Sequence, residues 1–320
     1  MRSLFVMDPL DKINVKGDST YMVMKECSAR GLPVHYCVPK DLFVKDGVPK
    51  GAITEVKVDA TAPYFHVGES KVHDLADFDV IWMRKDPPYD MGYVFTTWLL
   101  DMVPSPTLVV NHPIGLKLFN EKLWAMRFQP FHPEVLLSRD QAQIRAFIEQ
   151  SDGKVVLKPW DGNGGRGVLV TEKGDRNMGS MIEILTVEGK EYVIAQKYIP
   201  GIVNGDKRIL LFDGKPVTAI LRVPSDKDHR GNMHVGATVQ ATELDERDQQ
   251  ICEALGPELR RWGQTFVGID VIAGFLTEIN VTSPTGIQEA NRLYNLRLEA
   301  DLVDVVSRRW SSREGLPALR

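Results

Sequence analysis

Three oxygen-bearing side chains late in the sequence carry the plainest chemical signal. In Phe266-Val-Gly-Ile-Asp270-Val-Ile-Ala-Gly-Phe-Leu-Thr-Glu278-Ile-Asn280-Val-Thr-Ser-Pro, Glu278 and Asn280 alternate with Ile279 and Val281, so both fall on one face of a strand. A three-residue turn at Ala273-Gly274-Phe275, with Gly274 supplying positive φ, predicts Asp270 directly across from Glu278. A two-residue turn would send Asp270 to the other face. Two carboxylates and an amide oxygen gathered among apolar residues are costly unless a cation joins them. Oxygen-only donors favour Mg²⁺ completed by substrate phosphates and water, and the cluster holds no histidine that would suit zinc. The plain alternative is a polar outer face on an edge hairpin.

Gly162-Asn163-Gly164-Gly165-Arg166-Gly167 spells G-x-G-x-x-G, but an apolar strand follows it where a dinucleotide site needs a helix. No Lys-Ser/Thr closes it, so it is no P-loop. A glycine-rich hairpin folding over phosphates with its backbone N–H groups fits better; a simple long turn is the alternative. Lys158 ends the apolar run Lys-Val-Val-Leu-Lys-Pro beside this loop, where a point charge can meet phosphate oxygens. Lys122 and Lys197 are further cations, each with a solvated-surface alternative. Arg208, Arg222 and Arg230 are anion ligands by type, and Arg222 and Arg230 bracket a polar loop running on to Gly236, long enough to close over a substrate. Ser283-Pro-Thr285-Gly follows the acidic strand and suits a substrate carboxylate. The serines and cysteines form no pairing with a base, so no covalent enzyme is expected.

The elements that must position these groups are legible in outline. Leu4–Met7, a helix from about Tyr21 to Arg30 capped by Asp18-Ser19-Thr20, and Val34–Val38 read as β-α-β. Another strand ends at Met83-Arg84. This alternation predicts an open, mostly parallel sheet with ligands at the carboxyl ends of its strands, where Asp8, Asn14, Asp18, Ser19 and Arg84 fall. The first β-α turn lacks G-x-G-x-x-G, which speaks against a nicotinamide or flavin dinucleotide there. A helical segment is expected at Asn120–Trp124, then a run of hairpins: Lys154–Pro159 with Val168–Thr171, Glu191–Ile199, Arg208–Phe212 with Val217–Val223, and Phe266–Val281. Between the last two hairpins lies a helix around Ile251–Trp262 that Gly256-Pro257 should kink; an amphipathic helix around Leu298–Arg309 closes the chain.

Composition bounds the partners. The 320 residues exceed one core's usual size, so two or three subdomains are expected. A 43% hydrophobic and 26% charged composition is that of a globular protein, and a net charge of −4 argues against nucleic acid or an anionic membrane. No uncharged run approaches a membrane span. Asp8 interrupts the amino-terminal apolar stretch too early for a signal-peptide core. Cys27, Cys37 and Cys252 are odd in number and widely spaced, which fits a reduced, cytoplasmic setting.

Taken together the chain resembles the bacterial glutathione synthetases, ATP-grasp ligases. The resemblance rests on Met7-Asp-Pro with Asn14 and Asp18-Ser19, Met83-Arg-Lys-Asp-Pro-Pro-Tyr-Asp90, Asn120-Glu-Lys122, Leu157-Lys-Pro, Asp161-Gly-Asn-Gly-Gly165, Gly205-Asp-Lys-Arg208, Arg230-Gly-Asn232, and Leu276-Thr-Glu-Ile-Asn-Val-Thr-Ser-Pro-Thr285. It implies an α/β ATP-grasp fold: an N-terminal open parallel-sheet (pre-ATP-grasp) substrate domain over 1–119, a central lid subdomain over 120–200, and a C-terminal α+β subdomain over 201–320 carrying the metal site. It further implies ATP-dependent joining of γ-glutamylcysteine to glycine through an acyl phosphate, with ATP as co-substrate and two Mg²⁺ ions for which Mn²⁺ can substitute. By position, Lys122, Lys158 and the loop glycines Gly162, Gly164 and Gly165 would meet the ATP phosphates. The segment Gln196, Lys197, Tyr198 and Ile199 would hold the adenine, and Asp270, Glu278 and Asn280 the metal. Arg84 with Asn14, Asp18 and Ser19 would hold the γ-glutamylcysteine end, helped by Asn232, Asn280, Ser283 and Thr285. Arg208 would face the reacting carboxylate, and with Arg230 and Lys158 would form the catalytic set. The resemblance also implies a homo-oligomer, dimer or tetramer. Gly236-Ala237 stands where many members carry Gly-Gly. A different carboxylate–amine ligase of the fold, or a silent nucleotide-binding module, are the rival readings.

Overall fold

The computed structural model describes residues 1–162, 166–224 and 238–312. The first sheet is built from β1 (Ser3–Val6), β2 (Val34–Cys37), β3 (Leu42–Lys45), β4 (Val48–Val58), β5 (Phe65–Asp74), β6 (Val80–Met83) and β7 (Leu108–Val110), with helices α1 (Ser19–Ala29), α2 (Met91–Asp101) and α3 (Pro113–Leu118). β1 and β6 are buried along their whole length, the mark of strands covered on both faces. The pairs β1–β2, β1–β6 and β6–β7 are parallel. The long β4–β5 ribbon and β3 add antiparallel strands, so the sheet is mixed and more elaborate than the β-α-β reading suggests. Asp18 caps α1 by accepting from Tyr21 N at 2.6 Å, and Asp90 caps α2 by accepting from Tyr93 N at 2.9 Å.

The second sheet runs β10-β9-β11-β8, from β8 (Val135–Ser138), β9 (Val155–Pro159), β10 (Leu169–Thr171) and β11 (Val193–Lys197), all antiparallel. It carries two helices that a reading as hairpins alone omits, α4 (Gln141–Gln150) and α5 (Met178–Thr186). Asp140 caps α4 by accepting from Ala142 N and Gln143 N, and Ile144, Ile148, Met178 and Ile182 bury against Val155, Leu157 and Val193 in a core of their own. The expected helix at Asn120–Trp124 is instead a turn. Asn120 Oδ1 accepts from Lys122 N and Leu123 N, a local alternative to helix that asparagine favours, and the helix lies earlier, as α3.

The third sheet, β14-β13-β12-β15-β16, comprises β12 (Asp206–Phe212), β13 (Lys215–Val223), β14 (Thr238–Ala241), β15 (Phe266–Ile272) and β16 (Phe275–Asn280), with α6 (Glu246–Arg261), α7 (Ile287–Tyr294) and α8 (Leu298–Ser312). α6 continues through Pro257. Side chains of the first and third sheets share two cores. Asn111 ties them: its Nδ2 donates to the carbonyls of Phe266 and Val281, both at 2.7 Å, and its Oδ1 accepts from Phe266 N at 2.8 Å.

The late hairpin corrects the expected turn. Ala273 and Gly274, both at positive φ, form a two-residue turn between the paired Ile272 and Phe275, as primed hairpin turns require. By parity that turn would set Asp270 opposite Thr277. A β-bulge follows, however: Val271 pairs Leu276 while Asp270 pairs Glu278, leaving Thr277 as the extra residue. Thr277 Oγ1 donates to Asp270 O at 3.1 Å within the bulge. Asp270 therefore faces Glu278 after all, for a different reason.

Candidate active site

The three sheets enclose a cavity of about 1070 Å³. Its floor is one face of the third sheet. Alternation puts Asp206 and Arg208 on that face of β12, and register sets Arg222 beside Asp206 and Asp270 beside Arg208. Arg208 donates from Nε to Asp270 Oδ1 at 2.5 Å and from a terminal nitrogen to Oδ2 at 2.9 Å, the fork geometry that makes arginine–carboxylate pairs strong. Arg222 pairs with both Asp206 and Asp270, the latter at 2.9 Å. Arg222, expected among the anion ligands for substrate, is thus committed to two carboxylates of its own chain. Asn280 Nδ2 donates to Asp270 Oδ2 at 3.2 Å.

These contacts set the proton affinities. Burial alone would raise the Asp270 carboxyl, but Arg208 and Arg222 outweigh it and hold it well below the usual range. Asp206 is less fully compensated: burial lifts it to about 7 against the pull of Arg222, and its Oδ1 is buried without a hydrogen-bond partner among the described residues.

The wall opposite the floor is cationic. Lys158, on β9 and 8% exposed, donates to Gln196 Oε1 at 3.0 Å, and burial lowers it to about 8 despite the attraction of Glu278. Lys122 contacts the Gly162 carbonyl and Glu278 Oε1, the latter at 3.4 Å. Burial opposes its charge, yet Glu278 and Glu121 outweigh burial and raise it. Val156, Gln196, Tyr198 and Ile199 line the same side, an apolar slot with polar edges. At the far end Asn14, Asp18, Ser283 and Thr285 line the cavity.

Not every expected residue faces this space. Arg84 is buried beside it: Nε donates to Thr20 Oγ1 at 3.0 Å, a terminal nitrogen donates to the Pro284 carbonyl at 2.9 Å, and the guanidinium lies 4.9 Å from the Phe266 ring centre. Ser19 is wholly buried and accepts from Ile287 N. Neither residue lines the cavity, and neither does Lys197. Gly164, Gly165, Arg230 and Asn232, with the loop on to Ala237, lie outside the described residues. Asp86, Glu121, Asp206 and Glu289 also line the cavity and are not among the expected residues. Asp206 stands two residues before Arg208, so strand alternation alone could have put it on the floor. Glu121, which accepts from Thr282 Oγ1 at 2.7 Å, is half-buried by tertiary packing that no local pattern reveals.

The donor set suits a divalent cation of the hard, oxygen-loving kind. Glu278 keeps 28% of its side chain exposed, and Asp270 and Asn280 stand beside it. Among the described residues no group of three His, Cys, Asp or Glu side chains is placed to hold an ion unaided, so phosphates and water would complete the shell.

Comparison with known proteins gives this arrangement its family. The family model for the prokaryotic glutathione synthetase N-terminal domain matches residues 1–117, and that for the prokaryotic glutathione synthetase ATP-grasp domain matches 121–295. The chain belongs to the prokaryotic glutathione synthetase family. A glutathione synthetase of Thermosynechococcus vestitus is 42% identical over 305 residues, covering 92% of this chain and 96% of its own. That of Agrobacterium fabrum is 40% identical over 309 residues, covering 96% and 97%. Among solved structures, D-cycloserine synthetase DcsG superposes with a TM-score of 0.68 at 14% identity, covering 96% of this chain and 99% of its own. A RimK domain ATP-grasp protein of Sphaerobacter thermophilus gives 0.62 at 16%, covering 96% and 100%. The fold is therefore ATP-grasp, and this family member is an ATP-dependent ligase. Among the described residues no helix is long and apolar enough to cross a membrane.

Proposed function

We propose that this synthetase-family ligase joins the cysteinyl carboxylate of γ-glutamylcysteine to the amine of glycine, converting ATP to ADP and phosphate. Family membership at about 40% identity supports the substrates; the pairing of Lys122 and Lys158 with the Asp270–Glu278–Asn280 floor in one cavity supports the chemistry and carries the assignment of roles.

A carboxylate is a poor electrophile. One of its oxygens attacks the γ-phosphorus, ADP leaves, and the resulting acyl phosphate offers a carbonyl that glycine's neutral amine can attack, expelling phosphate while the ammonium's proton passes to solvent. Phosphoryl transfer asks mainly for position and positive charge. Lys122 and Lys158 supply that charge to the phosphates, and Gln196 to Ile199 hold the adenine. Arg208, anchored by Asp270, keeps its remaining N–H groups for the reacting carboxylate and the oxyanion. By family resemblance Arg230 would assist it, and the glycine loop from Gly162 would serve to exclude water from the acyl phosphate. Asp270, Glu278 and Asn280 would hold Mg²⁺, or Mn²⁺ in its place; such an ion, when bound, neutralises phosphate charge and polarises the transferring group. Asn14, Asp18, Ser283 and Thr285 would grip the dipeptide, with Arg84 and Ser19 positioning that end from behind. The same reading extends to a homo-oligomer working in the cytoplasm.

ADP release tests this, measured with γ-glutamylcysteine and glycine each omitted in turn. Release requiring both is expected. Release indifferent to glycine would overturn the proposed acceptor, and release only with another donor would make this a different carboxylate–amine ligase of the fold.

A further inference from the structure

Helix α2 presents an apolar seam to solvent on the face away from its buried Tyr93. Met91, Phe95, Trp98 and Met102 are 58%, 58%, 44% and 46% exposed, and their spacing of four, three and four residues puts them on one stripe of a helix. The rings of Phe95 and Trp98 stack edge to face at 4.9 Å. Tyr93, Thr96, Thr97 and Leu100 fill the inward face, so the stripe is surplus to the subunit's own core. β3 and α3 pack on α2 and extend the patch with Phe43, Val44 and Leu118, also exposed.

We infer that this face is the contact between two copies of the chain, related by a two-fold axis that passes outside α2, between the two helices, at the level midway between Phe95 and Trp98. This deepens the homo-oligomer reading above and rests on it. The sequence of α2 is self-complementary about that point. An antiparallel partner helix brings Met91 to the partner's Met102 and Phe95 to its Trp98, each contact repeated by symmetry as an isologous interface demands. No cation lies within residues 91–102, which disfavours an anionic lipid surface as the occupant. The area agrees. Seven large side chains roughly half exposed offer on the order of 500 Å² of apolar surface, about the apolar share of the ~800 Å² per partner that a stable dimer buries.

The test uses the full chain and measures its mass by light scattering across protein concentration. Phe95→Glu with Trp98→Glu places four carboxylates at the axis of each dimer and should weaken association by a thousand-fold or more, since each loss counts twice. Circular dichroism and unchanged ATP binding would show that the variant folds. A second variant, Met91→Cys with Met102→Cys, should be joined into covalent dimers by a short bismaleimide. Within one chain those positions stand about 16 Å apart along the helix, and the native cysteines are all buried. A parent that is monomeric throughout would refute the homo-oligomer reading itself. A parent oligomer that survives the glutamates with its mass unchanged, or whose cysteine variant stays unlinked, would refute this surface alone.

Discussion

Lys158 illustrates how a binding group can weaken the fold that carries it. Its ammonium is almost wholly buried, with one hydrogen bond among the described residues, to Gln196, and its proton affinity falls from the ordinary 10.5 to about 8. A tenfold change in proton affinity corresponds to about 1.4 kcal/mol, so keeping the charge there costs the nucleotide-free protein roughly 3 kcal/mol. Lys158→Met retains the apolar stem and loses the charge, together with a hydrogen bond worth about 1 kcal/mol. The variant should therefore be more stable at pH 7 by about 2 kcal/mol, a rise in Tm of ~3 °C. The pH dependence fixes the cause. The folded pKa lies below the unfolded one, so the lysine's full stability is present above 10.5 and is lost as pH falls through about 8. Parent and variant melting curves should accordingly converge between pH 8 and 10. ATP affinity should move the other way, falling by roughly 10- to 100-fold with the loss of a charged contact. Scanning calorimetry without nucleotide and titration calorimetry with it read the two effects. A variant that melts below the parent at pH 7, or whose advantage persists at pH 10, would refute the reasoning.

Other substitutions separate function from folding. Glu278→Gln should lower kcat by about 100-fold or more at saturating Mg²⁺ with little change in Tm; an unchanged kcat would remove Glu278 from the proposed metal site. Asn111→Ala breaks three hydrogen bonds between the first and third sheets and strands the Phe266 and Val281 backbone groups. Its cost of roughly 3–6 kcal/mol should appear as a lower urea midpoint, and a midpoint equal to the parent's would show the groups find other partners. Gly115→Ala would put a methyl carbon 1.9 Å from Gln264 Nε2 and 2.7 Å from the Trp262 carbonyl, so thermal melting should drop by the equivalent of about 1–3 kcal/mol.

What could be read in advance divides by the range of the interactions involved. Strand runs of continuous apolar residues, such as Leu4–Val6, and aspartate caps such as Asp18 are written in a few consecutive positions, and the sequence carries them openly. The helices α4 and α5 lacked such a clear stripe to the eye, and Asp140, which caps the first, stands in a polar passage that also reads as loop. Asn120 misled because a helix-like string of side chains follows it, while its own amide captures the backbone as a turn. For the site, the facing of Asp270 and Glu278 was legible and its route was not. A bulge moves one residue out of register without leaving a composition signature, so turn length alone cannot fix parity. Arg222 shows the deeper limit. Its type suits an anion, but the register of its hairpin, shifted by a bulge at Leu210/Leu211, and the arrival of Asp270 on β15 decide that its anions are Asp206 and Asp270.

The electrostatics of the floor argue for a site built to receive a cation rather than for an internal brace. A buried brace is worth keeping only when every polar atom is matched. Here the matching is lopsided: Asp270 collects two guanidiniums and an amide, while Asp206 Oδ1 and Arg222 Nε are buried with no partner among the described residues. Glu278, part exposed, is met by Lys122 at 3.4 Å. A structure selected for stability alone would replace such a cluster with apolar side chains of similar volume and gain by it. Retaining it makes physical sense if the arginines preserve negative oxygens, still ionised, on a sheet face where the next charges to arrive are a divalent ion and the phosphates that accompany it.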